Sequence, residues 1–291
     1  MKLSIGNRIL SFLILLASLL PFWVLYAISD LMFLVLYYLI GYRKKVVYSN
    51  LDIAFPEKTI AEKKKIAKKF YVFLTDMLVE TIKMRSISAK EVKKRIVLTN
   101  EDEVQRHFNQ GSPVIGTTAH YGNWELGIHR LSLMTENPVL IIYKPLNNKG
   151  FEKIYNTIRS RFHAKMIPMR QTIRQILTHK NEPHISMFLS DQTPVRSEAD
   201  CFIPFMGQPT LVFLGMEKIA RSTGFPVVYC HIDRIKRGYY SCTFSTLFEK
   251  PQLTEKLEIT LTYHKILEQH INAKPELWLW SHRRWKHKPA S

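Results

Sequence analysis

The hydrophobic pattern divides the chain into an apolar N-terminal stretch and a longer part in which helices and strands alternate. After residue 110, short apolar runs suited to buried strands are separated by stretches with the period of amphipathic helices. Such alternation predicts an α/β domain with a mostly buried central sheet flanked by helices. The predicted strands cover residues 113–119, 139–143, 185–189, 201–205, 226–232 and 239–244. The predicted helices cover residues 125–134, 151–162, 173–177, 212–221 and 257–271.

The N-terminal stretch predicts a membrane anchor. Between residues 9 and 42 the only charged residue is Asp30. As one straight helix this stretch would measure roughly 50 Å, against about 30 Å for the hydrocarbon core of a bilayer. We therefore expect it to break, with Pro21 and Asp30 as the natural points. Either one helix spans the membrane and the next lies at its surface, or the two helices enter and leave the membrane on the same side.

The residues that end the apolar stretch argue against a cleaved signal peptide. A signal peptide has an apolar core of about 7–15 residues and ends in small residues. This stretch is longer and ends in tyrosines suited to a membrane interface, at Tyr37, Tyr38 and Tyr42. Three basic residues follow at positions 43–45. Because basic residues flank membrane segments on the cytoplasmic side, we expect the C-terminal body in the cytoplasm.

Residues 43–100 form a predicted basic, amphipathic helical region between the anchor (1–42) and the α/β domain (101–291). Lys and Arg outnumber Asp and Glu by 15 to 6 in residues 43–95. A helix is expected from Pro56, with apolar positions on one face and lysines on the other. The ordinary interpretation of the lysine-bearing face is that it contacts solvent. Beside an anchor, however, such a face gains about 1 kcal/mol per basic residue from anionic lipid, so we expect contact with the membrane surface.

Composition narrows the classes of function. The chain has 291 residues, 46% of them hydrophobic, which is enough for a folded core. Its net charge of +18 predicts attraction to polyanions, but no nucleic-acid-binding signature accompanies it, so a non-catalytic, nucleic-acid-binding membrane-surface protein is a remote alternative. Three cysteines without a CxxC pair favour neither disulfides nor zinc, and we expect no metal or cofactor. The common nucleotide-binding, serine-hydrolase and zinc-protease motifs do not occur.

His120 and Glu125 are the candidate catalytic residues. His120 follows a predicted buried strand, and a helix is predicted to begin a few residues later. Active sites in α/β sheets gather at the carboxyl ends of strands, and a helix N-terminus offers N–H groups to a developing oxyanion. A carboxylate five residues after the histidine can fold back, hold the imidazole as a base and stabilise the imidazolium. A helix cap beside a structural histidine remains the alternative from the residues alone.

Residues 120–125 resemble the HxxxxD/E motif of the glycerolipid acyltransferase superfamily. The Phe-Pro-Glu-Gly-Thr block typical of the phosphatidic-acid branch is not found. Further blocks instead resemble the lipid A late acyltransferases, and the resemblance covers roughly residues 40–287. These blocks are residues 143–147 followed by Arg159 and Arg161, residues 190–192 followed by 202–207, and residues 280–286 with the pattern WxHRRxK.

The resemblance implies transfer of an acyl chain from acyl carrier protein to a hydroxyl of a glucosamine-based lipid at the bacterial inner membrane. His120 would act as general base with Glu125 orienting it. Lys144 stands where relatives often have Arg, and a lysine cannot make the same planar two-point contact with a phosphate. The identity of the acceptor is therefore left open, with an aminolipid or a lysophospholipid as alternatives. Substrate binding is implied for Lys144, Arg159, Arg161, Asp191 and Gln192, although a basic helix end (Arg159, Arg161) or a turn (Asp191) would use the same residues. His282, Arg283 and Arg284 would be structural or contact the carrier, and Trp278, Trp280 and Trp285 are interpreted as core or interface residues.

Overall fold

The N-terminal stretch folds into two helices that break at Pro21. The computed structural model describes residues 4–195, 199 and 201–289. Helix α1 covers Ile5–Leu19, and α2 covers Phe22–Phe33 and continues as a π-helical segment through Leu34–Leu39. The expected break at Pro21 is confirmed, whereas the break expected at Asp30 is wrong. Arg237 pairs with the Asp30 carboxylate at 2.6 Å, so this charge is compensated without interrupting the helix.

Helices α1 and α2 present apolar side chains outward and polar contacts inward. Within the described residues, 22–39 form the one helical stretch long and apolar enough to cross a membrane. Trp23 on its outer side is 75% exposed. On the inner side, the hydroxyl of Tyr26 donates to Glu80 at 2.9 Å, and that of Ser29 donates to Asp76 at 2.8 Å. These contacts attach the apolar helices to the rest of the protein through buried polar groups.

The region after the anchor is helical, as predicted. It contains α3 (Lys44–Ala54), α4 (Ile60–Lys83) and α5 (Ala89–Arg95). Helix α4 begins at Ile60 rather than at Pro56, because Thr59 and Glu62 form a capping box there. The predicted apolar face of α4 is largely buried. Lys63, expected on the exposed face, is instead buried beside Asp52, with an Nζ–Oδ1 distance of 2.9 Å.

A mostly parallel sheet forms the centre of the remaining chain. In the described residues its strand order is β1-β9-β8-β2-β5-β3-β4, and all neighbouring pairs are parallel except β8 and β9. The predicted α/β class is therefore confirmed. The strands are β1 (Ile96–Leu98), β2 (Val114–Thr118), β3 (Val139–Tyr143), β4 (Lys165–Pro168), β5 (Ile185–Leu189), β6 (Cys201–Phe205), β7 (Gln208–Val212), β8 (Val227–Lys236) and β9 (Tyr239–Phe248).

Two helical layers flank the sheet. Apolar side chains from α9 and α10 pack on one face against Phe188 of β5 and Ile115 of β2. Most of the remaining core, including buried residues of α4, α7 and α8, forms a second and larger cluster. The helices of this part are α6 (Asp102–Asn109), α7 (Trp124–Ser132), α8 (Lys149–Arg159), α9 (Thr172–Thr178), α10 (Gly215–Thr223) and α11 (Glu258–Ala273).

Sequence patterns missed the short strands. β1 and β4 have three and four residues, too few to produce a recognisable alternation. β7 pairs with β6 as an antiparallel hairpin, turning through Met206 and Gly207, which both have positive φ. The predicted helix over residues 212–221 is therefore wrong at its start, because residue 212 ends β7 and α10 begins at Gly215.

Candidate active site

His120 and Asp191 meet because two neighbouring parallel strands end in register. Thr118, the last residue of β2, is paired with Leu189, the last residue of β5. The residues two positions beyond each strand therefore emerge side by side at the same sheet edge. His120 Nδ1 lies 2.8 Å from Asp191 Oδ1, and the His120 backbone N–H donates to Asp191 Oδ2 at 3.0 Å.

Asp191 is a buried carboxylate that stays ionised. Burial alone would raise its pKa, but the neighbouring His120 and the hydrogen bonds it receives lower that pKa to about 2. One of these bonds comes from the indole Nε1 of Trp278, at 2.9 Å from Oδ2. Because an ionised carboxylate only accepts hydrogen bonds, His120 Nδ1 carries the proton in this pair. His120 Nε2 is then the nitrogen with a free lone pair.

Glu125 lies in the first turn of α7 but does not hold His120. Its buried carboxylate receives bonds from Arg159, whose Nε lies 2.8 Å from Oε2 and whose Nη2 donates to Oε1. Trp124 Nε1 also donates to Oε1, at 2.9 Å. The expectation that Glu125 orients the imidazole is thus corrected. The buried carboxylate of Glu125 is paired with the cation of Arg159 at the end of α8, whereas Asp191 supplies the carboxylate to His120.

The Glu125–Arg159 pair is a closely coupled ion pair. Burial alone would raise the pKa of the Glu125 carboxyl, but the positive charge and hydrogen bonds of Arg159, with bonds from Tyr155 and Trp124, hold that pKa below its ordinary value. The Arg159 side chain retains 15% exposure, and Arg159 and Tyr155 both line a large cavity. The pair therefore places a fixed guanidinium in the wall of the cavity that His120 also lines.

A tight turn connects His120 to α7. Gly122 has a φ of +62°, and a Cβ there would lie 2.2 Å from the carbonyl oxygen of Ile232, so only glycine fits. Asn123 caps α7 by accepting from the backbone N–H of Leu126 at 2.9 Å. The amide of Asn123 also donates to the buried carboxylate of Glu80 in α4. The close approach of Ile232 and the bond to Glu80 thus fix the turn between His120 and α7.

A cavity of about 1350 Å³ opens beside His120. Ile141 and Ile142, neighbours on β3, both line it. So do Phe188 and Leu189 at the end of β5. Since successive residues of a strand point to opposite faces, the cavity extends around the sheet edge onto both faces. Apolar side chains from α9 and α10 supply much of the remaining wall, namely Ile173, Ile176, Leu177, Met216 and Ile219.

The other predicted substrate-binding residues divide between the cavity and the scaffold. Lys144 and Gln192 line the cavity. Lys180 and Lys218 also line it, and no pattern in the chain identified either of them. Arg161 does not belong to this lining, because its guanidinium donates to the backbone carbonyls of Met84 and Ile87 at 2.5 and 2.9 Å. It satisfies carbonyl groups just beyond α4 and thus belongs to the scaffold.

The C-terminal block of the resemblance packs inward beside the site. His282 Nε2 accepts from the backbone N–H of Thr193 at 2.9 Å, and burial lowers the pKa of His282 to about 4. Arg284 is buried and donates to the carbonyl of Leu211 at 2.8 Å. Arg283 is exposed, and its backbone carbonyl accepts from the hydroxyl of Thr193. The structure favours the scaffold alternative for His282 and Arg284.

An oriented histidine at the sheet edge, a large apolar cavity beside it and an apolar N-terminal helix pair are the features expected of an α/β enzyme that acts on a lipid. The chain belongs to the bacterial lipid A biosynthesis acyltransferase family, and the sequence pattern of that family matches residues 5–287. It is thus an acyltransferase of lipid A biosynthesis, as the four sequence blocks predicted.

Relatives in Escherichia coli (strain K12) cover most of the chain. The chain is 26% identical over 253 residues to a lipid A biosynthesis palmitoleoyltransferase, covering 85% of this chain and 80% of that protein. It is 21% identical over 252 residues to a lauroyltransferase of the same pathway, covering 85% and 80%. It is 19% identical over 242 residues to a myristoyltransferase, covering 79% and 71%. These relatives differ in the acyl group that their names state.

Proposed function

We propose that the protein transfers a fatty acyl chain from the thioester of acyl carrier protein to a hydroxyl of a glucosamine-based lipid A precursor, with His120 as general base. The observation that carries the proposal is the His120–Asp191 pair at the wall of the large apolar cavity. A catalytic base needs an orienting partner and access to its substrate. A long acyl chain needs an apolar cavity of this kind.

The proposed reaction begins at His120 Nε2. This nitrogen removes the proton of the acceptor hydroxyl while Asp191 stabilises the imidazolium that forms. The alkoxide attacks the thioester carbonyl, and a tetrahedral oxyanion results. Collapse of this intermediate forms the ester C–O bond, breaks the C–S bond and expels the carrier thiolate. The thiolate then takes the proton from the imidazolium, which returns His120 to its starting state.

Charged residues of the cavity wall receive the anionic parts of the reaction. Arg159, held by Glu125, is proposed to stabilise the oxyanion, because a fixed cation loses little energy to reorganisation in the transition state. Lys144 and Gln192 are proposed to bind the polar head of the acceptor. A lysine at position 144 supplies one compact charge rather than a planar two-point contact. No metal or cofactor takes part in the proposed reaction.

We propose that the protein acts at the inner membrane with its catalytic domain in the cytoplasm. The exposed apolar side chains of α1 and α2 and the basic residues 43–45 support this orientation. A reporter fused after Ser291 is expected to give a cytoplasmic signal. A periplasmic signal from the same fusion would reverse the proposed topology.

The proposed function is tested by direct assay. Purified protein in detergent is incubated with acyl carrier protein bearing a labelled acyl chain and with a lipid A precursor that lacks secondary acyl chains. Mass spectrometry is expected to detect a lipid product heavier by one acyl group, joined as an ester. A lysophospholipid and an aminolipid serve as competing acceptors in parallel. Acylation of either of these in preference to the lipid A precursor would reject the proposed acceptor.

Raising the ionic strength is expected to raise KM for acyl carrier protein more than it lowers kcat. The chain carries a net charge of +18, and the proposed carrier is strongly acidic, so their encounter is electrostatically favoured and screened by salt. Acyl-coenzyme A, which lacks the acidic protein, is the matched control and is expected to respond less and to be the poorer donor. The measurement is initial rate against donor concentration at two ionic strengths. Equal responses and equal efficiencies of the two donors would exclude acyl carrier protein as the preferred donor.

A further inference from the structure

A short C-terminal segment, residues 277–279, packs along the turn that carries His120. The carbonyl of Leu277 accepts from the backbone N–H of Gly122 at 3.1 Å, and the backbone N–H of Leu279 donates to the carbonyl of His120 at 3.0 Å. Between these bonds, Trp278 forms an antiparallel bridge with Tyr121. The backbone of the proposed base is therefore fixed by residues almost 160 positions away in the chain.

The same segment also reaches the carboxylate that orients the base. Asp191 Oδ2 accepts from two donors, the backbone N–H of His120 at 3.0 Å and the indole Nε1 of Trp278 at 2.9 Å. Oδ1 is left for the imidazole Nδ1. The terminal torsion of an aspartate is broad, so two donors on one oxygen fix the orientation of the carboxylate plane and hold the other oxygen against the imidazole.

We propose that Trp278 is a positioning residue for the His120–Asp191 pair. This inference rests on the proposed function. Trp278 is buried and does not belong to the cavity lining, so it acts through Asp191 rather than on the substrate. Its ring is itself fixed by edge-on packing against Trp280 and Phe205, with centroid distances of 4.8 and 5.8 Å. The donor Nε1 is thus held in place before the reaction begins.

Trp280 provides a matched control for a purely structural role. It lies two residues away, is equally buried and also donates through its indole Nε1, but to the backbone carbonyl of Pro275 at 2.6 Å. Trp278→Phe and Trp280→Phe therefore remove the same ring and the same donor from the same packed region. Only the first removes a hydrogen bond from Asp191.

The test compares kcat, KM and the pH dependence of the two variants. Trp278→Phe is expected to lower kcat by about tenfold, the order of effect of one hydrogen bond to a charged group, with both KM values nearly unchanged. Without the indole, more of the negative charge of Asp191 is available to a protonated His120. Since the base must be neutral to act, the acid limb of the rate profile should move to higher pH, by up to about one unit. Trp280→Phe should leave this limb where it is.

A second variant separates the lost donor from lost packing. Trp278→3-benzothienylalanine keeps the size and shape of the ring and replaces the N–H by sulfur. It is expected to reproduce the kinetic effect of Trp278→Phe while keeping the thermal stability of the unmodified protein. Wild-type kcat and pH profile in this variant, or equal profiles for the two phenylalanine variants, would overturn the positioning role alone. Absence of any His120-dependent acyl transfer by the wild-type protein would overturn the proposed function and the inference together.

Discussion

Replacing His120 by alanine is expected to lower kcat for acyl transfer by about 10²–10⁴, the usual contribution of a general base. The loss arises because the imidazole oriented by Asp191 is the group proposed to remove the hydroxyl proton. The side chain is partly exposed to the cavity, so its removal should leave the fold intact. Initial rates are measured with both substrates saturating, alongside the thermal unfolding of each protein. Near-normal turnover by folded His120→Ala protein would reject His120 as the base.

Asp191 and His120 are expected to act as one unit. Asp191→Asn alone should cause a large loss of turnover, because a neutral amide neither fixes the same tautomer nor stabilises the imidazolium. In protein that already carries His120→Ala, the same change should cost little more, since residues that act together are strongly non-additive. The measurement is a double-mutant cycle in kcat. Independent, multiplicative losses would contradict the pairing of these two residues in catalysis.

Replacing Arg159 by methionine is expected to lower the free energy of unfolding by about 3–5 kcal/mol, the cost of leaving a buried charge without its partner. Glu125 is buried, and Arg159 is its described ionic partner. Denaturant unfolding in detergent measures the loss. The matched control is Arg159→Met combined with Glu125→Gln, which removes both charges and should recover most of the stability. Catalysis should stay low in the double variant, because the proposed oxyanion contact is absent.

The same pair predicts a dependence of stability on pH. In the folded protein the pKa of Glu125 lies below its ordinary value, so the pair contributes stability above the unfolded pKa and loses it as pH falls through the folded pKa. In Arg159→Met protein the positive charge that opposes burial is gone and only the bonds from Tyr155 and Trp124 still lower the pKa of Glu125, so that pKa should rise. Lowering the pH should then protonate Glu125 and remove part of the free-energy cost of its unpaired buried charge. The stability difference between wild type and variant should therefore shrink as pH falls. A difference that stays constant with pH would show that Glu125 does not depend on Arg159 for its charge.

Local sequence patterns were sufficient for the layered fold and for the position of the candidate histidine. The strands at residues 139–143, 185–189 and 201–205 were predicted with the bounds that the structure gives. The first two runs are mostly apolar, bounded by polar or turn residues and mostly buried, so hydrophobic burial specifies them. Residues 201–205 bury only Ile203 and Phe205, and their apolar composition indicated the strand. His120 was identified because its neighbours in the chain define a strand end followed by a helix start. The break at Pro21 follows equally from local backbone chemistry.

The partners of the functional groups were decided only by tertiary structure. Asp191 reaches His120 because β2 and β5 are adjacent and in register, which no property of either segment specifies by itself. Glu125, five residues from His120, is instead held by Arg159 from a different helix. Trp278 joins the pair from the C-terminal segment. The sequence by itself determined which segments are apolar, helical or extended and that the candidate histidine stands between a strand end and a helix start, because those features depend on neighbouring residues. Which carboxylate serves that histidine depends on strand order and register, and these are fixed only when the whole core packs.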